Sequence, residues 1–172
     1  ASGYLGKILR DNGNYVVGID TNTKDIIKAK KVLDEAYVVN LETDNLNRFQ
    51  GKFDFILFSE VIEHLLNPEA VIKKICKCLK PNGQILITTP NILHIYLRYR
   101  FLLGKFIYKD ETVINKFHIH FFTHTTLKNL IKSIGLTILK DNSLVFPRTL
   151  SGIWKFWPNM FVHTNIFLCK KK

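Results

Sequence analysis

Ala1-Ser2-Gly3-Tyr4-Leu5-Gly6 runs straight into Lys7-Ile8-Leu9-Arg10, and Tyr15-Val16-Val17-Gly18-Ile19 follows and ends at Asp20. The glycines stand where a helix begins, so its free N–H groups can face a ligand. The apolar run reads as a strand, and a carboxylate at its tip can accept two hydrogen bonds from a ribose diol, each contributing roughly 1.5–3 kcal/mol. Turn, helix, strand and terminal acid together predict a nucleotide-binding α/β fold. A glycine turn of this kind follows a strand, and the sequence starts inside the turn without Met, so the expectation is an N-terminally incomplete record that lacks its first strand.

Working outward, helical and strand patterns alternate, as in a parallel sheet with crossover helices. Thr23 is expected to cap a helix carrying Ile26, Ile27, Val32 and Leu33 on one side, and Ala36-Tyr37-Val38-Val39 to form the next strand. Phe53 to Phe58 reads as a central buried strand. Asn67-Pro68-Glu69 supplies an N-cap, a proline at the first helical position and an acid in the first turn. That helix is expected to bury Val71, Ile72, Ile75 and Leu79 and to stop at Pro81-Asn82-Gly83, before a strand from Gln84 to Thr88.

After Pro90 the alternation breaks. Ile92, Ile95, Tyr96, Tyr99, Leu102, Leu103 and Phe106 form one helical apolar stripe, with Leu97 and Phe101 opposite and Arg98, Lys105 and Lys109 along a flank. The fold resumes at Thr125 with a helix bearing Leu127, Leu130, Ile131 and Ile134, closed by Gly135, then strands at Leu136 to Leu139 and Asn165 to Cys169. One domain over 1–172 is expected, with 1–90 as the cofactor-binding part, 91–124 as an inserted cap and 125–172 as the C-terminal helix and strands.

The chain has 172 residues, of which 47% are hydrophobic and 12% aromatic, so it can bury a substantial core and disorder is excluded. Twenty-five Lys and Arg against fourteen Asp and Glu give a net charge of +11. The basic residues are spread over many predicted faces and no aromatic RNA-binding motif accompanies them, which disfavours a nucleic-acid partner. Cys76, Cys78 and Cys169 form neither a CxxC pair nor an even set, pointing to a reducing compartment, by default the cytoplasm. The apolar run Ile153 to Leu168 is broken by Lys155, Pro158, Asn159 and His163 and is too polar to span a bilayer. Phe101, Phe106, Trp154, Phe156 and Trp157 are ordinary core candidates, or else a surface for a lipidic or aromatic acceptor or for peripheral membrane contact.

In an open α/β sheet the ligand binds at the carboxyl ends of the strands. Those tips here are Asp20, Asn40-Leu41-Glu42, Ser59-Glu60 and Thr89-Pro90-Asn91. An acid, an amide and a hydroxyl in this order suit a ribose, an adenine edge and an amino-acid moiety, with adenine packed on Leu41.

With these residues in view, the chain resembles class I S-adenosylmethionine-dependent methyltransferases, in the group that includes ubiquinone-biosynthesis O-methyltransferases. The resemblance is carried by Ala1-Ser2-Gly3, Gly18-Ile19-Asp20, Ser59-Glu60-Val61-Ile62-Glu63-His64-Leu65 and Leu79-Lys80-Pro81-Asn82-Gly83-Gln84. It implies a Rossmann-like three-layer sandwich whose sheet is mostly parallel with an antiparallel last strand. It also implies that S-adenosylmethionine is held by Gly3 under the methionine moiety, Asp20 on the ribose with Thr21 beside it, Asn40 and Leu41 at the adenine, and Ser59, Glu60 and Val61 at the methionine and sulfonium end. Methyl transfer needs mainly in-line positioning, and a base only for a weak nucleophile such as a hydroxyl.

His64, His118 and His120 are the candidate bases, with His124 completing a dense group. His118 and His120 are expected on one face of an extended segment, in the acceptor pocket or in the rim. No carboxylate or Cys accompanies them at a recognisable spacing, so no metal site is expected. Glu63 reads as a second acid or as a loop hydrogen-bonding group, and Cys76-x-Cys78 cannot converge on a helix. Three functions follow in order: methyl transfer, most simply to oxygen, on a small, sugar or lipid-linked acceptor; a non-catalytic methyltransferase-like binding module; and an NAD(P)-dependent dehydrogenase. Without a first strand the chain alone could be inactive. The acceptor and the oligomeric state are not legible in the residues.

Overall fold

The computed structural model describes residues 3–106, 113–146, 149, 152 and 154–171. Ala1, Ser2, Lys109 and Ile153 of the sequence reading lie outside them. The chain divides into two compact units, Ala1–Asn45 and Leu46–Lys172.

In the first unit, helix α1 (Tyr4–Asp11) starts from Gly3, whose φ of 85° lies in the left-handed region. A Cβ there would meet Val32 Cγ2 at 3.0 Å and Ala29 Cα at 3.2 Å, so both backbone conformation and space require glycine. Strand β1 (Val17–Asp20) pairs in parallel with β2 (Glu35–Val38), and helix α2 (Thr23–Ala29) connects them. The cap of α2 is Asn22, whose side chain accepts from the Lys24 and Asp25 amides; the expected cap, Thr23, is the first helical residue. From one position earlier, the Asn22 side-chain carbonyl oxygen reaches two free amides of the first turn. Val32 and Leu33 lie past the end of α2; Leu33 belongs to the core with Ile26, Ala29 and Ala36 and Val32 packs against it, whereas Ile27, expected on the same side, is exposed.

In the second unit, β3 (Phe53–Ser59) pairs in parallel with β4 (Leu79–Pro90), crossing over through helix α3 (Pro68–Cys76). Asn67 caps α3 by accepting from the Ala70 amide, as its sequence predicts. The helix ends at Cys76. Pro81-Asn82-Gly83 does not terminate it but forms an irregularity within β4, where the register steps from Phe53↔Leu79 to Phe55↔Gln84 and Asn82 has a φ of 66°. Beyond this irregularity Ile85 and Ile87 are fully buried, because β4 has a strand on each side. Among the described residues β3 has a strand partner on one side only, and Phe55 is exposed, so the strand expected to be central and buried is half open.

Helix α4 (Ile95–Leu102) is followed, after a loop that includes 113–123, by helix α5 (His124–Ser133), which Thr123 and Thr126 close with a reciprocal capping box. Strands β5 (Leu136–Asp141) and β6 (Leu144–Val145), short helix α6 (Pro158–Phe161) and strand β7 (Val162–Lys171) complete the chain. Strand β7 runs antiparallel between β4 and β5, giving the order β3-β4-β7-β5, with β6 also paired to β7. The antiparallel last strand is thus present, longer at both ends than its apolar pattern suggests. Of the two apolar sides of helix α4, the one bearing Leu97 is buried, whereas the stripe residues Tyr96, Tyr99, Leu102 and Leu103 are exposed, Leu102 at 84%. No helix among the described residues is long and apolar enough to cross a membrane. Cys76, Cys78 and Cys169 are free and buried, and burial pushes their thiols up, Cys76 to about 11 and Cys169 to about 12, so they are protonated and unreactive.

Candidate active site

In the first unit Asp20 closes β1 in an Asx turn, its Oδ1 accepting from the Asn22 amide at 2.8 Å. That bond orients the carboxylate at the strand tip, with Thr21 exposed beside it. Asn40 sits two residues past β2. Its Oδ1 accepts from the Glu42 amide at 2.9 Å and its own amide donates to Asp44 Oδ2 at 2.8 Å. A carbonyl oxygen has two lone pairs, so Asn40 retains one acceptor position, and half-buried Leu41 follows it. The donor set suits an adenosine: an acid for a diol, an amide for a base edge and an apolar side chain for a ring face.

In the second unit the parallel strands β3 and β4 bring their carboxyl ends together, and antiparallel β7 brings its amino end to the same edge. Ser59 Oγ lies 2.7 Å from Thr88 Oγ1, which donates to Glu60 Oε1 at 2.8 Å. Glu60 itself has a φ of 53°, a conformation that costs a side-chain-bearing residue on the order of 1 kcal/mol or more and collects at functional turns. Val61 then opens a short 3₁₀ turn, Ile62–His64.

That turn holds the densest chemistry. Glu63 is 1% exposed; its Oε2 accepts from Thr89 Oγ1 at 3.1 Å, while Oε1 has no hydrogen-bond partner. Burial, reinforced by the nearby Glu60 carboxylate, pushes its carboxyl up to about 7. The Glu63 carbonyl accepts from the amides of Ile119 at 2.8 Å and His120 at 3.0 Å, clamping the 117–120 segment onto the turn. His118 is thereby set edge-to-face on His64 with ring centroids 4.7 Å apart. His64 Nδ1 lies 3.0 Å from the Phe117 carbonyl and His118 Nδ1 2.9 Å from the Val113 carbonyl. A carbonyl only accepts, so each Nδ1 carries the proton and each Nε2 keeps a free lone pair. Burial and the neighbouring His64 hold His118 below its ordinary value, which keeps it neutral near pH 7.

Of the candidate histidines, the fold brings together His64 and His118. His120 does not share their arrangement: its Nε2 lies 3.3 Å from the Leu66 carbonyl and its ring packs near Phe122. His124 belongs to the core. It is buried, pairs with Asp141 at 2.7 Å, and packs against Trp154 and Phe167.

Sequence reasoning missed His94, His163 and Asn165. His163 and Asn165 reach the edge because β7 is antiparallel, with Thr89 opposite Asn165 and Pro90 opposite Thr164. Asn165 is fully buried with neither side-chain polar atom partnered, and His163, held below its ordinary value by burial and by His94, stacks edge-on to His94 at 5.2 Å. The resemblance already implied an antiparallel last strand, but its pairing register with β4, which sets His163 and Asn165 beside Thr89 and Pro90, was not legible, and neither was the approach of His94 to His163.

The family described as Methyltransferase domain matches residues 1–141. The chain belongs to that family, and its architecture is that of class I S-adenosylmethionine-dependent methyltransferases, for which S-adenosylmethionine is the methyl donor. Its kinship within the class is to ubiquinone-biosynthesis O-methyltransferases, at a distance. It is 27% identical to the human mitochondrial ubiquinone biosynthesis O-methyltransferase, over 99% of this chain and 48% of that protein. It is 25% identical to the enzyme of that name from Erwinia tasmaniensis, over 76% of this chain and 65% of the relative. The chain therefore spans about half to two thirds of these relatives.

Among solved structures it superposes on a methyltransferase from Thermotoga maritima described as a possible histamine N-methyltransferase, with a TM-score of 0.72 at 17% identity, covering 99% of this chain and 78% of that one. A Mesorhizobium loti methyltransferase gives 0.69 at 14% identity, covering 99% and 87%. The family match removes the dehydrogenase alternative.

Proposed function

We propose that this chain carries S-adenosylmethionine-dependent methyl transfer to a hydroxyl oxygen of a small, sugar or lipid-linked acceptor, and that 1–172 forms one methyltransferase domain with 91–124 as its cap. Gly3, Asp20, Thr21, Asn40 and Leu41 are the first-unit residues that would hold the glycine-turn, ribose and adenine contacts. Ser59, Glu60 and Val61 are the second-unit residues for the methionine end. When bound, S-adenosylmethionine supplies a methyl group already activated on a sulfonium.

The observation that carries the oxygen assignment is the pair of imidazoles at the end of β3. A hydroxyl is a weak nucleophile and must lose its proton as the new O–C bond forms. His64 and His118, each with Nδ1 occupied by a carbonyl, offer Nε2 lone pairs for that proton, and the lowered His118 keeps its lone pair at neutral pH. His120 completes the candidate set from the adjoining position. Kinship to enzymes named for O-methylation supports the same reading. The exposed stripe Tyr96, Tyr99, Leu102 and Leu103 beside Arg100 and Lys105 supports a lipid-linked acceptor and contact with a membrane surface.

Equilibrium binding of S-adenosylhomocysteine tests the donor site. Removing the ribose acceptor with Asp20→Ala costs about 2–4 kcal/mol, a loss of roughly 30-fold to 1,000-fold in affinity. No affinity for the wild-type protein, or equal affinity in Asp20→Ala, overturns the assignment. Labelled methyl recovered on nitrogen acceptors and never on hydroxyls overturns the oxygen assignment alone.

A further inference from the structure

The face of the sheet that carries Ile85, Ile87, Phe167 and Cys169, all wholly buried, changes character where β4 ends and β7 begins. Residues opposite one another on paired strands share a face, as do residues two apart along a strand. Ile85 stands opposite Cys169, Ile87 opposite Phe167 and Thr89 opposite Asn165, and just beyond them the Asn91 amide donates to the His163 carbonyl at 3.0 Å. The apolar face thus ends in Thr89, Asn91, Asn165 and His163, and each buried polar group there calls for a partner.

Three of the four have one. Thr89 Oγ1 donates to Glu63 Oε2 at 3.1 Å. Asn91 Nδ2 donates to the Asn159 and Val162 carbonyls at 3.0 and 2.6 Å, and its Oδ1 accepts from the Leu93 amide at 3.0 Å. His163 Nδ1 lies 3.0 Å from Thr164 Oγ1, and the ring stands edge-on to His94. Asn165 is the exception: it is as fully buried as Asn91, yet neither Nδ2 nor Oδ1 has a partner among the described residues. It bears the desolvation cost of a donor and an acceptor with no bond in return. We propose that the Asn165 carboxamide is the recognition group of a subsite for a vicinal diol, one hydroxyl accepting from Nδ2 and its neighbour donating to Oδ1.

The surroundings select this ligand. A carboxamide presents donor and acceptor side by side in one plane, and adjacent hydroxyls return an acceptor and a donor. An anionic group is disfavoured, because burying it there would leave it without a cation. Thr89, Asn91 and Asn165 carry no charge, burial and His94 hold His163 below its ordinary value, and the charged group acting on His163 is the Glu60 carboxylate. His163 is exposed and its ring holds one hydrogen bond, so a rotamer change of this side chain is the movement that admits a ligand along the face to Asn165. Through Thr89 and Glu63 the amide adjoins the turn that bears His64, so a diol held there lies beside the imidazoles assigned to the acceptor hydroxyl. That use of the subsite rests on the proposed methyl transfer to oxygen, whereas diol binding does not.

The test is a ligand-observed NMR titration of the whole chain with catechol and with methyl α-glucoside, an aromatic and a sugar diol, against phenol and cyclohexanol as single-hydroxyl controls. At least one diol is expected to bind the wild-type protein more tightly than its control, and Asn165→Leu to lose roughly 10-fold to 100-fold of that affinity while the control is unaffected. The Tm of Asn165→Leu is expected to equal or exceed that of wild type, because the substitution removes two unpartnered polar groups at similar size; Asn165→Ala provides the same affinity comparison without added bulk. Binding of catechol alone makes the acceptor an aromatic diol, binding of the glucoside alone makes it a sugar, and either sustains the subsite. Binding of neither diol by the wild-type protein overturns the inference, as does equal diol affinity in wild type, Asn165→Leu and Asn165→Ala. Diol binding with no methyl transferred to oxygen would sustain the subsite and count against the proposed activity alone.

Discussion

Replacing Asp141 by Asn removes the charge that His124 Nε2 meets at 2.7 Å while preserving side-chain size and the acceptor for the Ser143 amide at 3.2 Å. Burial pushes the Asp141 carboxyl up, but the hydrogen bonds from His124 and Ser143 outweigh it and hold the group below its ordinary value. A hydrogen bond to a charged group contributes about 1.5–3 kcal/mol, and breaking a fully buried ion pair costs about 3–5 kcal/mol. The His124 side chain is 5% exposed but that of Asp141 is 26% exposed, so solvent screens one partner and the lower range applies. Asp141→Asn is therefore expected to destabilise the protein by about 2 kcal/mol at pH 6, a drop of roughly 4–8 °C in Tm for a chain of this size.

The pH dependence has a definite sign. A carboxylate whose folded pKa is depressed stabilises the fold above its unfolded value of about 3.9, and that contribution disappears as pH falls through the folded pKa. Urea unfolding at pH 6 and again near pH 3 should show the gap between wild type and Asp141→Asn narrowing at the lower pH. An equal gap at both values, or none at pH 6, would refute the reasoning. His124→Ala should cost more than Asp141→Asn, since it also removes ring contacts to Trp154 and Phe167.

Leu97→Ala should destabilise by about 2–4 kcal/mol, because its side chain is buried, whereas Leu102→Ala on the exposed side of α4 should stay within about 0.5 kcal/mol in the same urea assay. Glu60→Gly relieves a φ of 53° and should raise stability by about 0.5–1 kcal/mol while weakening S-adenosylhomocysteine binding. A Glu60→Gly protein that gains stability and keeps full affinity would show that the strained residue has no part in holding the methionine end.

Much of the fold is legible in local pattern. The β1 run ending at Asp20, the Asn67-Pro68-Glu69 cap of α3 and the apolar β3 each announce themselves through short-range chemistry: period, capping and strand-tip acids. Where reading fails, a distant contact wins. Pro81-Asn82-Gly83 has the composition of a terminating turn, but sheet pairing on either side absorbs it into β4. The stripe of α4 has helical spacing, yet periodicity reports only that two faces differ, and the structure buries the face bearing Leu97.

The site divides in the same way. Sequence alone determined the methyltransferase class and pointed to the strand tips Asp20 and Asn40-Leu41 and to the Ser59-to-Leu65 segment as the candidate site, because each lies where its own strand ends. Tertiary structure decided which histidines come together. It placed His118 on His64 through amide bonds to the Glu63 carbonyl, turned His120 toward Leu66, and sealed His124 in the core with Asp141. It also delivered His163 and Asn165 through an antiparallel β7. The physical reason is that strand tips are local, whereas a cluster assembled from segments far apart in the chain exists only once backbone hydrogen bonds have closed the loops between them.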